Sequence, residues 1–345
     1  MNPITYFAPA DVDSAARLAG SGATLIAGGT NLIDLMKERV ALPSALADIN
    51  RLPCADITPT SGGGLMLGAL ATNADTAYHR LVGERYPLLR AAILAGASPQ
   101  IRNMASNGGN LLQRTRCHYF YDTGTPCSKR DPGSHCSALL GLTRQHAILG
   151  ASARCIAVHP SDMCVALAAL DAVVHVQSGK GKRRIDFAHF HRLPGDTPHI
   201  DTVLEAGEVI THIELPPGER FAAHSAYVKV RDRSSYAFAL VSCGAALEFG
   251  KNGAIKAARI ALGSVAARPW RLREAEQVLE GEQPSAALFG AAADVLLGGA
   301  MGHGANDFKI PLARRTVVRA LDYASAGTVD NAHAADGQAD TREAP

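Results

Sequence analysis

Four of the seven cysteines lie in one stretch rich in glycine and proline, where they could bind a metal centre. Thiolates on a loop that flanking secondary structure holds in place are the ligands of structural zinc and of iron–sulfur clusters. The four residues are Cys117, Cys127, Cys136 and Cys155. The other three lie in or beside apolar runs and are interpreted as buried thiols: Cys54, Cys164 and Cys243.

The spacing of these cysteines does not decide between zinc and iron. Four thiolates satisfy zinc, but the close Cys-x-x-Cys pairs of most zinc sites are missing. The histidines nearby are His118, His135, His146 and His159. A cubane cluster also usually has compact ligand spacing, although a longer loop can supply its ligands when the fold brings them together. The odd number and the clustering of the cysteines favour metal binding in a reducing compartment over a disulfide framework.

Two glycine pairs flanked by polar residues could bind the phosphates of a nucleotide. In the first loop, Gly28 and Gly29 precede Thr30 and Asn31, between a predicted strand and a predicted helix. Glycines let the backbone turn tightly, so that successive N–H groups face one concavity that suits an anion. Alone, this loop would be interpreted as an ordinary turn. A second loop repeats the pattern with Ser106, Gly108, Gly109 and Asn110.

Two such loops suit a diphosphate. Neither matches the Gly-x-Gly-x-x-Gly pattern of dinucleotide-binding folds or the Gly-x-x-x-x-Gly-Lys-Ser/Thr pattern of nucleotide triphosphatases. The predicted binding mode is therefore neither of the Rossmann type nor of the P-loop type.

The elements around these residues predict an α+β fold. A strand over 23–27 ends at the first glycine loop, and Leu32, Leu35 and Met36 follow at helical spacing. After the cysteine stretch, a further helix is predicted over 161–169. This first half is interpreted as one α+β region with a loop inserted.

The second half predicts an antiparallel sheet backed by helices. Asn252 and Gly253 tolerate the positive φ angles of a type I′ turn and so predict a hairpin. Strands are predicted at 209–215, 225–230, 238–249 and 254–265, and helices at 271–280, 285–297 and 312–324. The tail over 326–345 has few large apolar residues and is predicted to be disordered.

Composition and charge narrow the classes of partner. With 345 residues, 47% of them hydrophobic, the chain can bury the core of a soluble globular protein of two or three domains. A formal charge of +2 provides no broad basic surface, so no nucleic acid is expected as a partner. No apolar run reaches the length of a membrane span, and the first residues lack the pattern of a secretion signal, so no membrane insertion is expected.

Five motifs occur in order along the chain. They are Ile26-Ala27-Gly28-Gly29-Thr30-Asn31-Leu32, the second glycine loop, His159-Pro160-Ser161-Asp162-Met163, Tyr227-Val228-Lys229 and Phe308-Lys309-Ile310-Pro311-Leu312. As an ordered set over about residues 1 to 325, they resemble the FAD-binding medium subunit of the xanthine dehydrogenase family of molybdenum hydroxylases. The resemblance implies a two-subdomain FAD-binding domain of the vanillyl-alcohol-oxidase (PCMH) type, followed by a C-terminal flavoprotein domain. The corresponding boundaries are 1–55 and 56–180 for the two subdomains, with an insert at about 113–156, and 181–325 for the C-terminal domain.

The resemblance also implies roles for individual residues in binding FAD. The two glycine loops would wrap the diphosphate, and Asp162 would accept hydrogen bonds from ribityl or ribose hydroxyls. Lys229 would approach the flavin ring, where a positive charge favours the reduced anionic flavin, and Ile101 would pack on the isoalloxazine. The implied cofactor-binding residues are Ile26, Ala27, Gly28, Gly29, Thr30, Asn31, Leu32, Ile101, Ser106, Gly108, Gly109, Asn110, Asp162 and Lys229.

The cysteine stretch resembles an insert found in only part of that family. Ordinary members have a short connection at this place, whereas the flavin subunits of 4-hydroxybenzoyl-CoA reductase and of bacterial aldehyde oxidoreductases carry a [4Fe–4S] cluster there. The sequence over 113–120 looks most like the aldehyde oxidoreductase branch. The implied ligands are Cys117, Cys127, Cys136 and Cys155, and the nearby histidines are interpreted as hydrogen-bonding or surface residues. Cys164 lies inside a predicted helix, which favours core packing.

The implied function is electron transfer within a larger complex. A large subunit with the molybdenum cofactor would oxidise an aldehyde, a small subunit with [2Fe–2S] centres would pass the electrons on, and FAD here would deliver them to an acceptor. One alternative is a self-sufficient flavin oxidase with a structural zinc site. Another is a binding or scaffold protein that has kept the fold without FAD. Since related complexes can be exported folded by a signal on the small subunit, both a periplasmic and a cytoplasmic location are expected to be compatible with this chain.

Overall fold

Three β-sheets position the candidate site in residues 3–328, the part of the chain that the computed structural model describes. The strands are β1 (Thr5–Phe7), β2 (Thr24–Ile26), β3 (Ala45–Asp48), β4 (Ile57–Pro59), β5 (Leu65–Gly68), β6 (Val173–Ser178), β7 (Gly181–Asp186), β8 (Val209–Leu215), β9 (Ser225–Val230), β10 (Val241–Phe249) and β11 (Ile255–Gly263). The α-helices are α1 (Val12–Gly20), α2 (Leu32–Lys37), α3 (Asn73–Tyr78), α4 (Arg80–Arg85), α5 (Pro87–Ala95), α6 (Pro99–Arg102), α7 (Asn107–Leu111), α8 (His118–Tyr121), α9 (Asp162–Ala169), α10 (Phe187–Phe190), α11 (Glu219–Ala222), α12 (Arg273–Gln277), α13 (Ala286–Leu296) and α14 (Lys309–Ala326), and Ser137–Leu140 form a 3-10 helix. The mixture of helices and strands confirms the predicted α+β class.

The first sheet is parallel and carries the first glycine loop at the end of β2. Its strands lie in the order β1-β3-β2. Helix α1 begins after Asp11, whose side chain accepts a hydrogen bond from the backbone N–H of Ser14, and this cap explains why the helix starts there. The loop between β2 and α2 is therefore held by regular structure at both ends.

The second sheet has five antiparallel strands in the order β4-β5-β8-β6-β7. The domain boundary predicted at residue 181 lies inside this sheet, because β6 and β7 form a hairpin across it with Gly181 at a φ of 118°. Strand β8, predicted for the C-terminal sheet, lies instead between β5 and β6. Its buried residues, among them Ile213 and Leu215, join the core under helices α5 and α9. The strand pairing thus groups residues up to 215 with the second sheet.

The third sheet is the predicted antiparallel sheet of the C-terminal region, in the order β11-β10-β9. The predicted hairpin joins β10 and β11, with Gly253 at a φ of 78°. Helices α13 and α14 cover one face and share a buried core with it. Helix α14 begins at Lys309, earlier than predicted, since Pro311 is tolerated in a first turn. It runs to Ala326, and the rest of the predicted disordered tail from 329 onward lies outside the described residues.

The cysteine insert has little regular structure. Its ordered elements are helix α8, the 3-10 helix and two isolated bridges, between Cys127 and Cys136 and between Ser152 and Cys155. Residues 147–149 and 155–158 form no strand. Instead, the N–H groups of Ile148 and Leu149 donate to the carbonyl of Val265, which docks the end of the insert beside β11. None of the helices within residues 3–328 is long and apolar enough to cross a membrane.

Candidate cofactor site

The first glycine loop lies directly against the chain that leads into the second. Gly28 has no room for a side chain, because a Cβ atom there would overlap the carbonyl oxygen of Met104. Gly29 has a φ of 70°, a conformation that favours glycine. The carbonyl of Ile101 accepts hydrogen bonds from the N–H groups of Met104 and Ala105, which forms the turn that brings Met104 to Gly28. The two loops predicted from sequence are therefore neighbours in space.

The first loop offers a row of open backbone donors. The N–H groups of residues 28 to 31 donate no hydrogen bond to any part of the chain that the structure describes. Ile26 ends β2 on one side, and Leu32 begins α2 on the other. Four successive amides free of internal partners form a concavity that can bind phosphate oxygens. This arrangement fits the diphosphate contact predicted for Ile26 to Leu32.

The second glycine loop is built differently, because its backbone amides are already bonded. Asn107 N–H donates to the carbonyl of Ala71 at 2.9 Å, and Gly108 N–H donates to that of Ala69 at 2.7 Å. Gly109 N–H donates to the hydroxyl of Ser106 at 3.2 Å, and Asn110 N–H donates to the carbonyl of Ser106 at 2.8 Å. A second amide cradle for phosphate, as expected from the glycine pair, is therefore not formed in this conformation. The loop instead supports the site by packing against the strand end after β5.

Asn110 connects the second loop to helix α9. Its carboxamide donates to Asn73 at 2.6 Å and accepts a hydrogen bond from the Ser161 hydroxyl at 2.5 Å. Ser161 in turn caps α9 by accepting from the N–H of Cys164 at 3.0 Å. This chain of contacts fixes the position of Asp162, the first residue of the helix.

Asp162 and Lys229 form a buried ion pair between the FAD-binding region and the third sheet. Their charged atoms are 2.7 Å apart, and the two side chains are 8% and 5% exposed. The Lys229 amine also donates to the carbonyl of Ala95 at 3.0 Å. Two residues predicted separately as cofactor ligands therefore hold each other in place, 67 positions apart in sequence.

Tyr227 belongs to this group and was not predicted as a site residue. Its hydroxyl donates to the second carboxylate oxygen of Asp162 at 2.6 Å. Burial, and after it the charge of Asp162, raise the pKa of Tyr227 well above its ordinary value, so the hydroxyl remains a donor. The sequence signal was its position two residues before Lys229, since alternate residues of a strand face the same side.

The four cysteines of the insert are free thiols that converge. Cys127 and Cys155 are buried, and Cys117 and Cys136 are half-buried. Burial raises the pKa of Cys117 to about 12, with smaller contributions from Cys127 and Cys155. Burial raises the pKa of Cys155 to about 11, opposed by Lys129 and reinforced by Cys136 and Cys127. No three of these sulfurs lie within 4.8 Å of one another in the described residues.

A second group of potential metal ligands lies deeper, and sequence reasoning did not identify it. His159, Cys164 and His191 bring ligand atoms within 4.8 Å of one another. Ser161 N–H donates to Nδ1 of His159 at 3.4 Å, and Nε2 of His191 faces the carbonyl of Leu111 at 2.8 Å. The two rings pack with their centroids 4.3 Å apart, and His191 also packs edge-on against Phe187 and Phe190. We therefore interpret the group as core packing, in agreement with the interpretation of Cys164 from sequence.

A surface cavity of about 590 Å³ lies away from both groups of residues, beside Asp171, Phe221 and Arg259. None of the predicted cofactor or metal residues lines it. The glycine loops, the Asp162–Lys229 pair and the cysteine insert therefore remain the candidate site.

Comparisons with known proteins identify the family of this chain. Residues 2–218 match the FAD binding domain in molybdopterin dehydrogenase, and residues 225–324 match the CO dehydrogenase flavoprotein C-terminal domain. The aldehyde oxidoreductase FAD-binding subunit PaoB of Escherichia coli (strain K12) is 50% identical over 307 residues, 88% of this chain and 92% of the relative. The glyceraldehyde dehydrogenase medium chain of Sulfolobus acidocaldarius is 29% identical over 258 residues, 75% of this chain and 73% of its own.

Solved structures give the same result. A chain of carbon monoxide dehydrogenase from Hydrogenophaga pseudoflava superimposes with a TM-score of 0.73 at 26% identity, over 94% of this chain and 98% of its own length. The FAD-binding domain followed by a C-terminal flavoprotein domain is confirmed. The resemblance implied by the five sequence motifs is confirmed as well, and the chain belongs to the family of FAD-binding subunits of molybdenum hydroxylases.

Proposed function

We propose that this subunit binds FAD and a [4Fe–4S] cluster and transfers electrons from molybdenum and [2Fe–2S] partner subunits, through FAD, to an external acceptor. The observation that carries the proposal is the direct bonding of the cysteine insert to the first glycine loop. Arg114 N–H donates to the carboxamide oxygen of Asn31 at 2.8 Å, three residues before Cys117. A cluster in the insert and a flavin on the loop would thus be neighbours.

The residues of the first loop and the ion pair have distinct roles in holding FAD. The amides of residues 28 to 31 bind the diphosphate, and Asp162 offers its remaining lone pairs to hydroxyls of the cofactor. Lys229 supplies a buried positive charge that favours a reduced, anionic ring. FAD itself supplies the electron chemistry, and the chain supplies its placement and electrostatics.

Sulfur spacing and charge favour an iron–sulfur cluster over zinc in the insert. A tetrahedral zinc ion with Zn–S bonds of about 2.3 Å draws its sulfurs to within roughly 4 Å of one another, whereas no three of these sulfurs in the described residues lie within 4.8 Å. In a cubane, each cysteine binds a different iron, and the sulfurs lie farther apart. Residues 113–156 also carry six basic and two acidic side chains, a balance that offsets the negative charge of a thiolate-ligated cluster.

The names of relatives support the proposed partners. The Escherichia coli relative is the FAD-binding subunit of an aldehyde oxidoreductase, and the Sulfolobus relative is a medium chain. These names fit a complex that also contains a large molybdenum subunit and a small [2Fe–2S] subunit. An aldehyde is the substrate class that we propose for the whole complex.

Anaerobic purification followed by cofactor analysis tests the proposal. We expect one FAD and about four iron and four sulfide per chain. Cys127→Ala should lose iron, whereas Cys54→Ala, a change at a buried cysteine outside the insert, should keep it. Stoichiometric zinc without iron would support the alternative of an oxidase with a structural zinc site, and a colourless protein would contradict both.

A further inference from the structure

His146 is the side chain that contacts a predicted cluster ligand most directly. Its Nε2 atom lies 3.1 Å from the sulfur of Cys117, and the residue is 3% exposed. No other side-chain group in residues 3–328 makes a recorded hydrogen bond to any of the four sulfurs. The sequence gives no reason to single out His146 from the other histidines near the insert.

The direction of this hydrogen bond follows from the chemistry of the ligand. A thiolate bound to iron can accept hydrogen bonds but cannot donate one. The ring must therefore present an N–H group from Nε2 to the sulfur. Nδ1 makes no hydrogen bond of good geometry within the described residues, so nothing there requires the opposite tautomer.

The C-terminal domain holds His146 by its backbone. The carbonyl oxygen of His146 accepts hydrogen bonds from the Lys309 amine at 2.8 Å and from the Asn306 amide at 3.2 Å. Lys309 and Asn306 are fully buried, and Lys309 also donates to the carbonyl of Ser264 at 2.6 Å. The backbone of His146 is thus held by Lys309, at the start of α14, and by Asn306 just before it, both in a different domain from the one that carries the cysteines.

The buried amine of Lys309 also fits the presence of an anionic group in the insert. The amine is buried and makes no ion pair with a carboxylate within residues 3–328, and burial lowers its pKa to about 7. A buried ammonium group without an opposite charge is costly. An anionic cluster held by Cys117, the residue that His146 contacts, would favour the charged form of this amine.

We propose that His146 donates a hydrogen bond from Nε2 to the sulfur of Cys117 and thereby raises the reduction potential of the cluster, with Lys309 and Asn306 holding it in position. The inference rests on the proposed function, because it requires the cluster. Hydrogen bonds to ligand sulfurs stabilise the added negative charge of the reduced cluster and so favour reduction. His146 is therefore a positioning residue that acts through Cys117.

The test is the midpoint potential of the cluster, measured by a redox titration monitored by electron paramagnetic resonance on the assembled complex. We expect His146→Leu to retain its iron and to shift the midpoint to a more negative value. His146→Gln keeps an N–H donor and should recover part of that shift. His135→Leu is the matched control, since His135 lies in the same insert, is exposed and makes no hydrogen bond to a sulfur, and the midpoint of this variant should not change.

An unchanged or more positive midpoint in His146→Leu at full iron content would overturn the inference. If His146→Leu loses its iron, the inference is tested on the unaltered protein instead. When that protein is labelled with ¹⁵N-histidine, electron–nuclear double resonance on its reduced cluster should show a nitrogen coupling, and the coupling should persist in His135→Leu. Absence of the coupling would overturn the inference. A protein that contains no iron at all would contradict the proposed function first.

Discussion

Gly28 is the position in the first glycine loop where a side chain is least tolerated. Gly28→Ala should abolish FAD binding and lower the free energy of unfolding by about 1–3 kcal/mol, because the new methyl group overlaps the carbonyl of Met104 and forces the two loops apart. FAD content after purification and urea unfolding measure the two effects. Gly179→Ala is the control, since Gly179 has open space around it, and equal loss of FAD in both variants would contradict the assignment.

Asp162 is buried and contacts both a charge partner, Lys229, and a hydrogen-bond donor, Tyr227. Asp162→Asn leaves an acceptor for Tyr227 but leaves Lys229 as an unpaired buried charge, so we expect a loss of about 3–5 kcal/mol in urea unfolding. Asp294→Asn removes the carboxylate of a solvent-exposed pair with Arg314 and should change stability little, because solvent screens such pairs. Recovery of stability in the double variant Asp162→Asn/Lys229→Met would support the charge explanation. Equal losses of stability in Asp162→Asn and Asp294→Asn would contradict it.

Patterns in the sequence identified these residues but not their partners. Glycine pairs, the Ser-Asp helix start and Lys229 are local features, so a reading along the chain finds them. Which donors remain open depends on distant contacts: the amides of the second loop are occupied by the carbonyls of Ala69 and Ala71, far from it in sequence. For the same reason, the pairing of Asp162 with Lys229 and the contact of His146 with Cys117 could not be predicted.

Among the elements, the cysteine insert is held together by side-chain hydrogen bonds rather than by regular structure. The guanidinium of Arg130 donates to the carbonyls of Tyr119, Phe120 and Asp122 at 2.9 to 3.0 Å, and also to that of Thr125. One planar group thus closes the loop between Cys117 and Cys127, a geometry that lysine cannot reproduce.

Arg130→Lys should therefore open the insert while leaving the three sheets folded. Limited proteolysis should cut the variant between Cys117 and Cys136 several-fold faster than the unaltered protein, because the carbonyls lose their shared donor. Arg154→Lys is the control, since Arg154 is exposed and its side chain makes no recorded hydrogen bond. Equal cleavage rates in the two variants would show that Arg130 does not hold the insert.

The assignment of strands to sheets shows a similar limit of sequence patterns. The hairpin of β10 and β11 was predicted because its Asn-Gly turn is local. Strand β8 has the alternation of any half-buried strand, and nothing in it indicates that it inserts between β5 and β6 rather than joining β9. Partner choice in a sheet is decided by the whole fold.

For the whole molecule, buried neutral histidines predict a loss of stability in acid. Burial lowers the pKa of His191 to about 4, against about 6.5 in the unfolded chain. Between these values the unfolded chain binds more protons, so the free energy of unfolding falls as the pH drops from about 6.5 towards 4, by up to about 1.4 kcal/mol per pH unit for one such histidine. Above pH 6.5 this contribution is fully present.

Urea unfolding at several pH values between 7.5 and 5 measures this dependence. In His191→Gln, the free energy of unfolding should depend less steeply on pH, because one titrating group is gone. The variant also loses the hydrogen bond to the carbonyl of Leu111. His189→Gln, at an exposed position in the short helix α10 just before His191, should leave it unchanged. A slope that is the same in both variants would mean that His191 does not contribute to the acid sensitivity.

The carboxamide of Asn31 is shared by the phosphate-binding turn and the main chain of the insert, through its contact with Arg114. With the proposed cluster in the insert, loading of the cluster and of FAD should then be cooperative, because an insert without its metal would hold Asn31 less firmly. Cells grown with scarce iron should accordingly accumulate a subunit that is poor in flavin as well.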